Sequence, residues 1–329
     1  MGELNFSLDP YLTYVTPVFN AQKYINEILE SVRVQISTSG LRYQHILVND
    51  GSTDGTAAIL EASVESGHGR VKVVNQANSG EAAAVNAGVS LVKTPFFCVV
   101  NADDPLLMGH GSLLTEVLQS APEVVVAYPD WQMIDGSGGV VRVIRTKKYD
   151  IRSLIGDFVC LPGPGAAIRR SAITGELRNV NFKYVSDYES WLRLAAAGPF
   201  RRAPGVVATW RQHEGGATFS GTGAAIAEEI LRLADRTLVD ILPTEIISRF
   251  HRSARSHAYY YAALHLNAAG GEGARRLMLK SFLLKPFPSV GYATDHRQPI
   301  GVAAVLLGAS GAEILRMVSR LRRFIGKTS

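Results

Sequence analysis

HILVNDGSTDG, residues 45–55, joins an apolar run to a cluster of turn formers. Ile46, Leu47 and Val48 form an unbroken apolar stretch, the pattern of a strand buried on both faces. The run stops at Asn49-Asp50-Gly51-Ser52, and Thr53-Asp54-Gly55-Thr56 follows at once. Asn, Asp, Ser and Gly in this order predict a tight turn. The stretch therefore holds an acid at the carboxyl edge of a sheet. That acid could bond the backbone amides of its own turn, or it could bind a ligand.

The same unit recurs on either side. Residues 11–15 are an apolar strand expected to break at Pro17, and Ile25, Ile28, Leu29 and Val32 then follow helical spacing. Residues 71–74 form a third strand, followed by Asn78-Ser79-Gly80 and an alanine-rich helix through Val89. A fourth, 96–100, ends in Asn101-Ala102-Asp103-Asp104, and a fifth, 124–127, runs into Tyr128-Pro129-Asp130. Alternating helices and apolar strands imply an α/β fold, a mostly parallel sheet with helices on both faces. Such sheets bind ligands beyond the carboxyl ends of their strands, where Pro17, Asp50 and Asp103 fall. Residues 140–222 are mixed and rich in Gly and Pro, as in PGPGAAIRR at 162–170. From Ala224 the chain reads as helical, and residues 259–286 predict two helices around a glycine-rich turn, similar to one tetratricopeptide pair. The expected division is a domain over 1–222, with a nucleotide-binding half at about 10–130 and an acceptor half at about 131–222, then a helical, basic region over 223–329.

The 329 residues, 47% hydrophobic, suffice for one large α/β domain and a smaller element. Cys98 and Cys160 are far apart in sequence and read as core thiols in a reducing compartment. The start, MGELNFSLDP, lacks the basic and apolar segments of a secretory signal, and the apolar run 300–307 is shorter than a bilayer span. A cytoplasmic protein is expected. Net charge is +5, but residues 249–329 carry 13 basic and 3 acidic side chains, leaving a mildly acidic body. On a helix over 312–327, Ile314, Val318, Leu321 and Ile325 share one stripe, and Arg316, Arg320, Arg323 and Lys327 another. That pattern fits docking at an anionic membrane surface. It equally fits a helix packed on its own domain or an oligomer contact. Residues 16–24 contain no glycine, which excludes a dinucleotide-binding turn. No nucleic-acid motif accompanies the basic tail.

Three acidic clusters invite chemistry: Asp50, the pair Asp103-Asp104, and Asp187 with Glu189. Singly they read as a turn, a helix cap before Pro105, and first-turn acids of a helix. Together they read differently, because adjacent carboxylates repel unless a cation joins them. A hard divalent cation takes one or two protein carboxylates and completes its shell from phosphate and water. Pro17, Phe19 and Asp50 would give a nucleobase an aromatic wall and an acceptor for a base N–H. The strand ends thus look like a nucleoside diphosphate site built around a metal.

The sequence resembles family 2 glycosyltransferases of the GT-A fold over about residues 10–220. The likeness is carried by TPVFNAQKYINEILESV at 16–32, ILVNDGSTDGT at 46–56, NSGEAAAVNAGV at 78–89, VVNADDPLL at 99–107, PGPGAAIRRSA at 162–172, SDYESWLRLAAAG at 186–198 and WRQHEGGAT at 210–218. The resemblance implies an inverting transfer from a nucleoside-diphosphate sugar, a UDP-sugar first, to a saccharide or lipid-linked acceptor, dependent on Mg²⁺ or Mn²⁺. By position, Pro17, Phe19, Asn20, Asp50, Asn78, Gly80, Asn101, Asp103 and Arg211 would bind the donor. Asp104, Asp103 and His213 would hold the metal, and Asp187 would be the catalytic base. The acceptor would sit near Gly163-Pro164-Gly165. This chain departs from the pattern at Asn49, Asn101 and Ser186, where the family often has acids, and at Val85, where it has a base. Those departures leave a non-catalytic sugar-nucleotide-binding or scaffold protein as the alternative. Surface polysaccharide or glycolipid assembly is the implied setting, at the inner face of a membrane.

Overall fold

The structure, a computed structural model, describes residues 11–39, 43–66, 69–213, 223–285 and 305. Two compact units divide the chain: residues 1–149 with 162–216, and residues 150–161 with 217–329. The tail helix expected over 312–327, and most of the apolar run 300–307, lie outside the described residues.

The first unit is built on an eight-stranded sheet. Its strands are β1 (Leu12–Val18), β2 (Tyr43–Asp50), β3 (Val71–Gln76), β4 (Phe96–Val99), β5 (Val126–Ile134), β6 (Val140–Ile144), β7 (Ala167–Arg169) and β8 (Phe200–Arg211), in the order β3-β2-β1-β4-β7-β5-β6, with β8 also paired to β5. β3, β2, β1 and β4 run parallel, as does β8 on β5, whereas β7 and β6 are antiparallel to their neighbours. The sheet is therefore mixed, with its parallel part at the amino-terminal half.

Two strands outrun their apolar stretches. β1 does not break at Pro17 but continues to Val18, with Pro17 opposite Val48. The Val15 carbonyl accepts from Val100 N, so odd-numbered residues of β1 direct their backbone toward β4. β4 has ended by position 17, and a residue without an N–H leaves nothing unpaired there. β2 likewise runs through Asn49 and Asp50, which pair with Asn75 and Gln76 of β3.

Helices α1 (Ile25–Ser39), α2 (Thr56–Ser66), α3 (Glu81–Ser90), α4 (His110–Ser120) and α5 (Ser186–Ala197) pack on this sheet. A side chain on Gly88 of α3 would meet Val15 Cγ1 at 2.4 Å, and one on Gly111 of α4 would meet the Tyr43 and Tyr14 hydroxyls at 2.4 and 2.7 Å. Val15 and Tyr14 are successive residues pointing to opposite faces, so α3 and α4 cover opposite faces. Leu12, Tyr14, Tyr43, Phe96, Cys98, Leu114 and Leu118 fill one core layer. Val18, Ile25, Ile28, Leu47 and Leu60 form a second cluster.

Among its described residues the second unit contains π turns at Arg152–Gly156 and Leu233–Thr237 and four helices, α6 (Gly223–Arg232), α7 (Leu238–Ile241), α8 (Thr244–Ala268) and α9 (Ala274–Leu284). The expected hairpin is present as α8 and α9, turned through Gly270 and Gly273 at positive φ. Tyr260, Ala263, Ala274, Met278 and Val305 are its buried core. Ser256 Oγ donates to the Ser281 carbonyl across the pair. Asp157 closes the unit by facing Lys285 Nζ at 3.5 Å and His257 Nε2 at 3.9 Å.

Candidate functional site

The carboxyl ends of β1, β2, β4 and β8 meet at one edge of the first unit. At the end of β2, Asp50 is buried and its carboxylate accepts three hydrogen bonds. Oδ1 accepts from Gln76 Nε2 and Ser79 N, both at 2.8 Å, and Oδ2 from Gly80 N at 2.8 Å. The acid thus shapes the Asn78-Ser79-Gly80 loop before α3. Gly51 is required beside it, with φ of 69° and space so limited that a Cβ would meet Asn78 N at 2.8 Å. Asn49 donates to Asn75 Oδ1 and accepts from Ser52 N. A carboxylate could not make the first of these bonds.

At the end of β1, Phe19 is half exposed and Asn20 adopts a left-handed φ of 48°. Asn20 N donates to Ser52 Oγ, and its Oδ1 accepts from Thr53 N at 2.8 Å. Phe19 thereby stands exposed at the strand end, while Pro17 is buried within β1, and Asn78 is exposed beside the Gly51 turn.

At the end of β4 the two acids separate in role. Asp104 is buried, accepting from Asn101 Nδ2 at 2.9 Å and Arg211 N at 2.7 Å. Burial and the adjacent Asp103 push its pKa up to about 8. No helix begins here, since α4 starts at His110, so the cap before Pro105 is not what these acids form. Asp103 is half-buried and its Oδ2 lies 2.8 Å from His213 Nε2. Of the three expected metal ligands, Asp103 and His213 stand together, while both Asp104 oxygens are spent on Asn101 and Arg211. Among the described residues no group of three or more His, Cys, Asp and Glu side chains gathers as a ligand set.

Arg211, expected at the donor, is buried and engaged at every nitrogen. Nε donates to the Asp103 carbonyl, Nη1 to that of Asp135, Nη2 to Glu27 Oε2 at 2.6 Å, and the guanidinium lies over the Tyr24 ring. Tyr24 also packs on His213, ring centres 5.1 Å apart. These contacts fix the end of β8 against the start of α1.

Asp187 occupies the first turn of α5, exposed, with one hydrogen bond from Tyr188 N at 2.6 Å. Glu189 is different: buried, and held bidentately by Arg193. It is a packing acid. Two further charged residues were not anticipated. Glu81, the first residue of α3, keeps exposed surface yet is crowded enough that its pKa is raised, with Asp187 and Asp103 adding to the effect and Arg178 opposing it. So Asp103, Asp187 and Arg178, from three other segments, all lie within electrostatic reach of Glu81. The Gly163-Pro164-Gly165 loop is packed tightly rather than open. Gly163 and Gly165 have φ of 59° and 73°, a Cβ on the first would strike Trp131 Nε1, and the Gly165 carbonyl faces His110 Nε2 at 2.7 Å.

A sheet of this order, with acids gathered at its carboxyl edge, is the GT-A fold of nucleotide-sugar transferases. TarS of S. aureus, solved in complex with UDP-GlcNAc, superposes with a TM-score of 0.57 over 91% of this chain and 92% of that one, at 13% identity. The mannosyltransferase PcManGT from Pyrobaculum calidifontis, solved with GDP-Man and Mn²⁺, gives a TM-score of 0.57 over 91% of this chain and 85% of that one, at 16% identity. In sequence, the undecaprenyl-phosphate 4-deoxy-4-formamido-L-arabinose transferase of Edwardsiella ictaluri is 28% identical over 193 residues, 57% of this chain and 50% of that protein. Residues 13–174 match the family model of glycosyl transferase family 2. The chain spans half or less of the length of the first curated relatives it matches.

Proposed function

We propose that the chain is an inverting, metal-dependent glycosyltransferase that moves a sugar from a nucleoside diphosphate, a UDP-sugar first, to a hydroxyl of a saccharide or lipid-linked acceptor. The observation that carries this reading is the convergence of Asp103, His213 and Asp187 with the Asp50-shaped loop at one sheet edge. Complexes of two fold neighbours with UDP-GlcNAc and GDP-Man support the donor class.

The donor residues divide the work. Phe19 walls the base with Pro17 buried behind it, and Asp50 holds the Ser79–Gly80 amides in place. Asn20, Asn78 and Gly80 border the same depression, and Asn101 fixes Asp104. A hard divalent cation fits the donors present, an imidazole and a carboxylate oxygen 2.8 Å apart. Asp103 and His213 would hold it, with Asp104 adjacent in the chain. When bound, Mg²⁺ or Mn²⁺ supplies positive charge to the leaving diphosphate. Asp187 is exposed and has lone pairs to spare after its one hydrogen bond, as a base for the acceptor hydroxyl requires. A base on the face opposite the leaving group gives a single displacement, hence inversion.

The test is calorimetric titration of the full chain with UDP and GDP, with and without Mn²⁺. Metal-dependent binding of one of them is expected. Binding of neither, with or without metal, would sink the donor assignment. For the basic tail we propose an anionic membrane surface, which suits a lipid-linked acceptor and an inner-face, cytoplasmic location. The full chain should co-sediment with anionic vesicles at low salt, and a truncation ending at Gly311 should not. Equal behaviour of the two would remove the tail from that role.

A further inference from the structure

Arg178 lies in the segment between the short 3₁₀ turn at Arg170–Ala172 and α5, outside every motif of the sequence. Its exposure is only 7%, yet Nε and Nη1 are buried without a hydrogen-bond partner. Its backbone, by contrast, is clamped on both sides: Arg178 N donates to Asn86 Oδ1 at 2.8 Å, and Asn86 Nδ2 donates to the Arg178 carbonyl at 2.8 Å. Asn86 is on α3, so the clamp fixes this segment against the helix whose first residue is Glu81. The chain spends two hydrogen bonds to position a guanidinium and then leaves two of its donors unused. Burying such donors unpaired costs stability. A buried donor left unpaired calls for an explanation, and a ligand that supplies the acceptor is one.

The charges around it say what that acceptor is. Of the acids at this edge, Glu81 lies in electrostatic reach of the guanidinium, and Glu81 is in turn in reach of Asp103 and Asp187. A nucleoside diphosphate adds further negative charge. Arg211, the other arginine at this edge, has Nε, Nη1 and Nη2 committed to Asp103, Asp135 and Glu27. The planar fork of a guanidinium matches two oxygens of a phosphate. We propose that Arg178 binds the diphosphate of the sugar donor through its unpaired Nε and Nη1, exchanging the pull of Glu81 for phosphate oxygens. This rests on the donor reading above and assigns to it a residue outside the family's motifs.

The experiment compares full-length wild type, Arg178→Met and Arg178→Lys by calorimetry in Mn²⁺, titrating UDP and UMP, and GDP and GMP in parallel. Thermal unfolding of the ligand-free proteins is measured alongside. Wild type should prefer the diphosphate to the monophosphate of whichever base it binds. Arg178→Met should lose about tenfold or more in diphosphate affinity, the equivalent of one charged hydrogen bond. It should lose much less for the monophosphate, and Arg178→Lys should fall between. The ligand-free Met variant should melt no lower than wild type, because it removes unpaired buried donors. A Met variant with unchanged diphosphate preference, or one that unfolds or melts well below wild type, overturns the assignment and makes Arg178 structural. If wild type binds no nucleoside diphosphate, the donor reading fails first and this one with it.

Discussion

Asp50 shows how one residue serves fold and site at once. It ends a buried strand because its two oxygens satisfy Gln76 and the amides of Ser79 and Gly80, which would otherwise be orphaned at the start of α3. Turn chemistry and ligand binding were alternatives in the sequence. In the structure the turn role is realised, and it builds the loop on which the proposed donor rests. Buried histidines add a pH dependence at the same scale. His45, bonded to Thr16 Oγ1, is pushed down to about 3 by burial, and His110, between the Tyr14 hydroxyl and the Gly165 carbonyl, to about 4. Both are neutral in the folded chain at pH values where the unfolded chain protonates them, below about 6.5. Their contribution is therefore complete above about 6.5 and is lost as the pH falls toward 4 and 3. Each adds a slope of up to about 1.4 kcal/mol per pH unit. Urea unfolding between pH 7 and 4.5 should show this fall, and His45→Gln should flatten it. An equal slope in the variant would contradict the account.

Among elements, α3 is the one the site most depends on. It carries Glu81 at its start, Asn86 in its middle and Gly88 against the sheet. A methyl at 88 would meet Val15 Cγ1 at 2.4 Å and Val48 Cγ2 at 3.1 Å. Gly88→Ala should therefore cost about 1–3 kcal/mol through overpacking. A urea midpoint unchanged from wild type would show that α3 has room to move. The parallel strands and their helices were legible because unbroken apolar runs and helical spacing are local signals. Strand ends were not. Asn49 and Asp50 extend β2 only because Asn75 and Gln76 stand opposite, a long-range pairing. β8 was hidden for a related reason. Its 12 residues include Arg201, Arg202 and Arg211, whose charges are met by Glu123, Asp130 and Glu27 from distant segments. The acids of the site were readable from turn residues at strand ends. Arg178 and Glu81 were not assigned, since a lone charge in a loop or at a helix start carries no mark of what it faces.

At the scale of the molecule, residues 150–161 fold with the carboxyl-terminal helices rather than with the sheet. Leu154 and Ile155 are buried, Gly156 lies against Phe250 and Ser253 of α8, and Asp157 faces Lys285 and His257. A chain ending at residue 222 would keep this segment and lose its covering. That truncation should unfold at lower denaturant and aggregate, exposing about two large apolar side chains worth about 1.5–3 kcal/mol each. Light scattering and urea unfolding of a monodisperse, equally stable truncation would contradict this. The measurement that tests the central claim most directly is turnover by wild type and Asp187→Asn with a nucleotide sugar, Mn²⁺ and a saccharide acceptor, following release of the nucleoside diphosphate and the anomeric configuration of the product. Wild type should release nucleoside diphosphate and give an inverted product. Asp187→Asn should bind the donor with unchanged affinity yet turn over at least about a hundredfold more slowly. Turnover by the variant at the wild-type rate, or a product with retained configuration, would contradict the account.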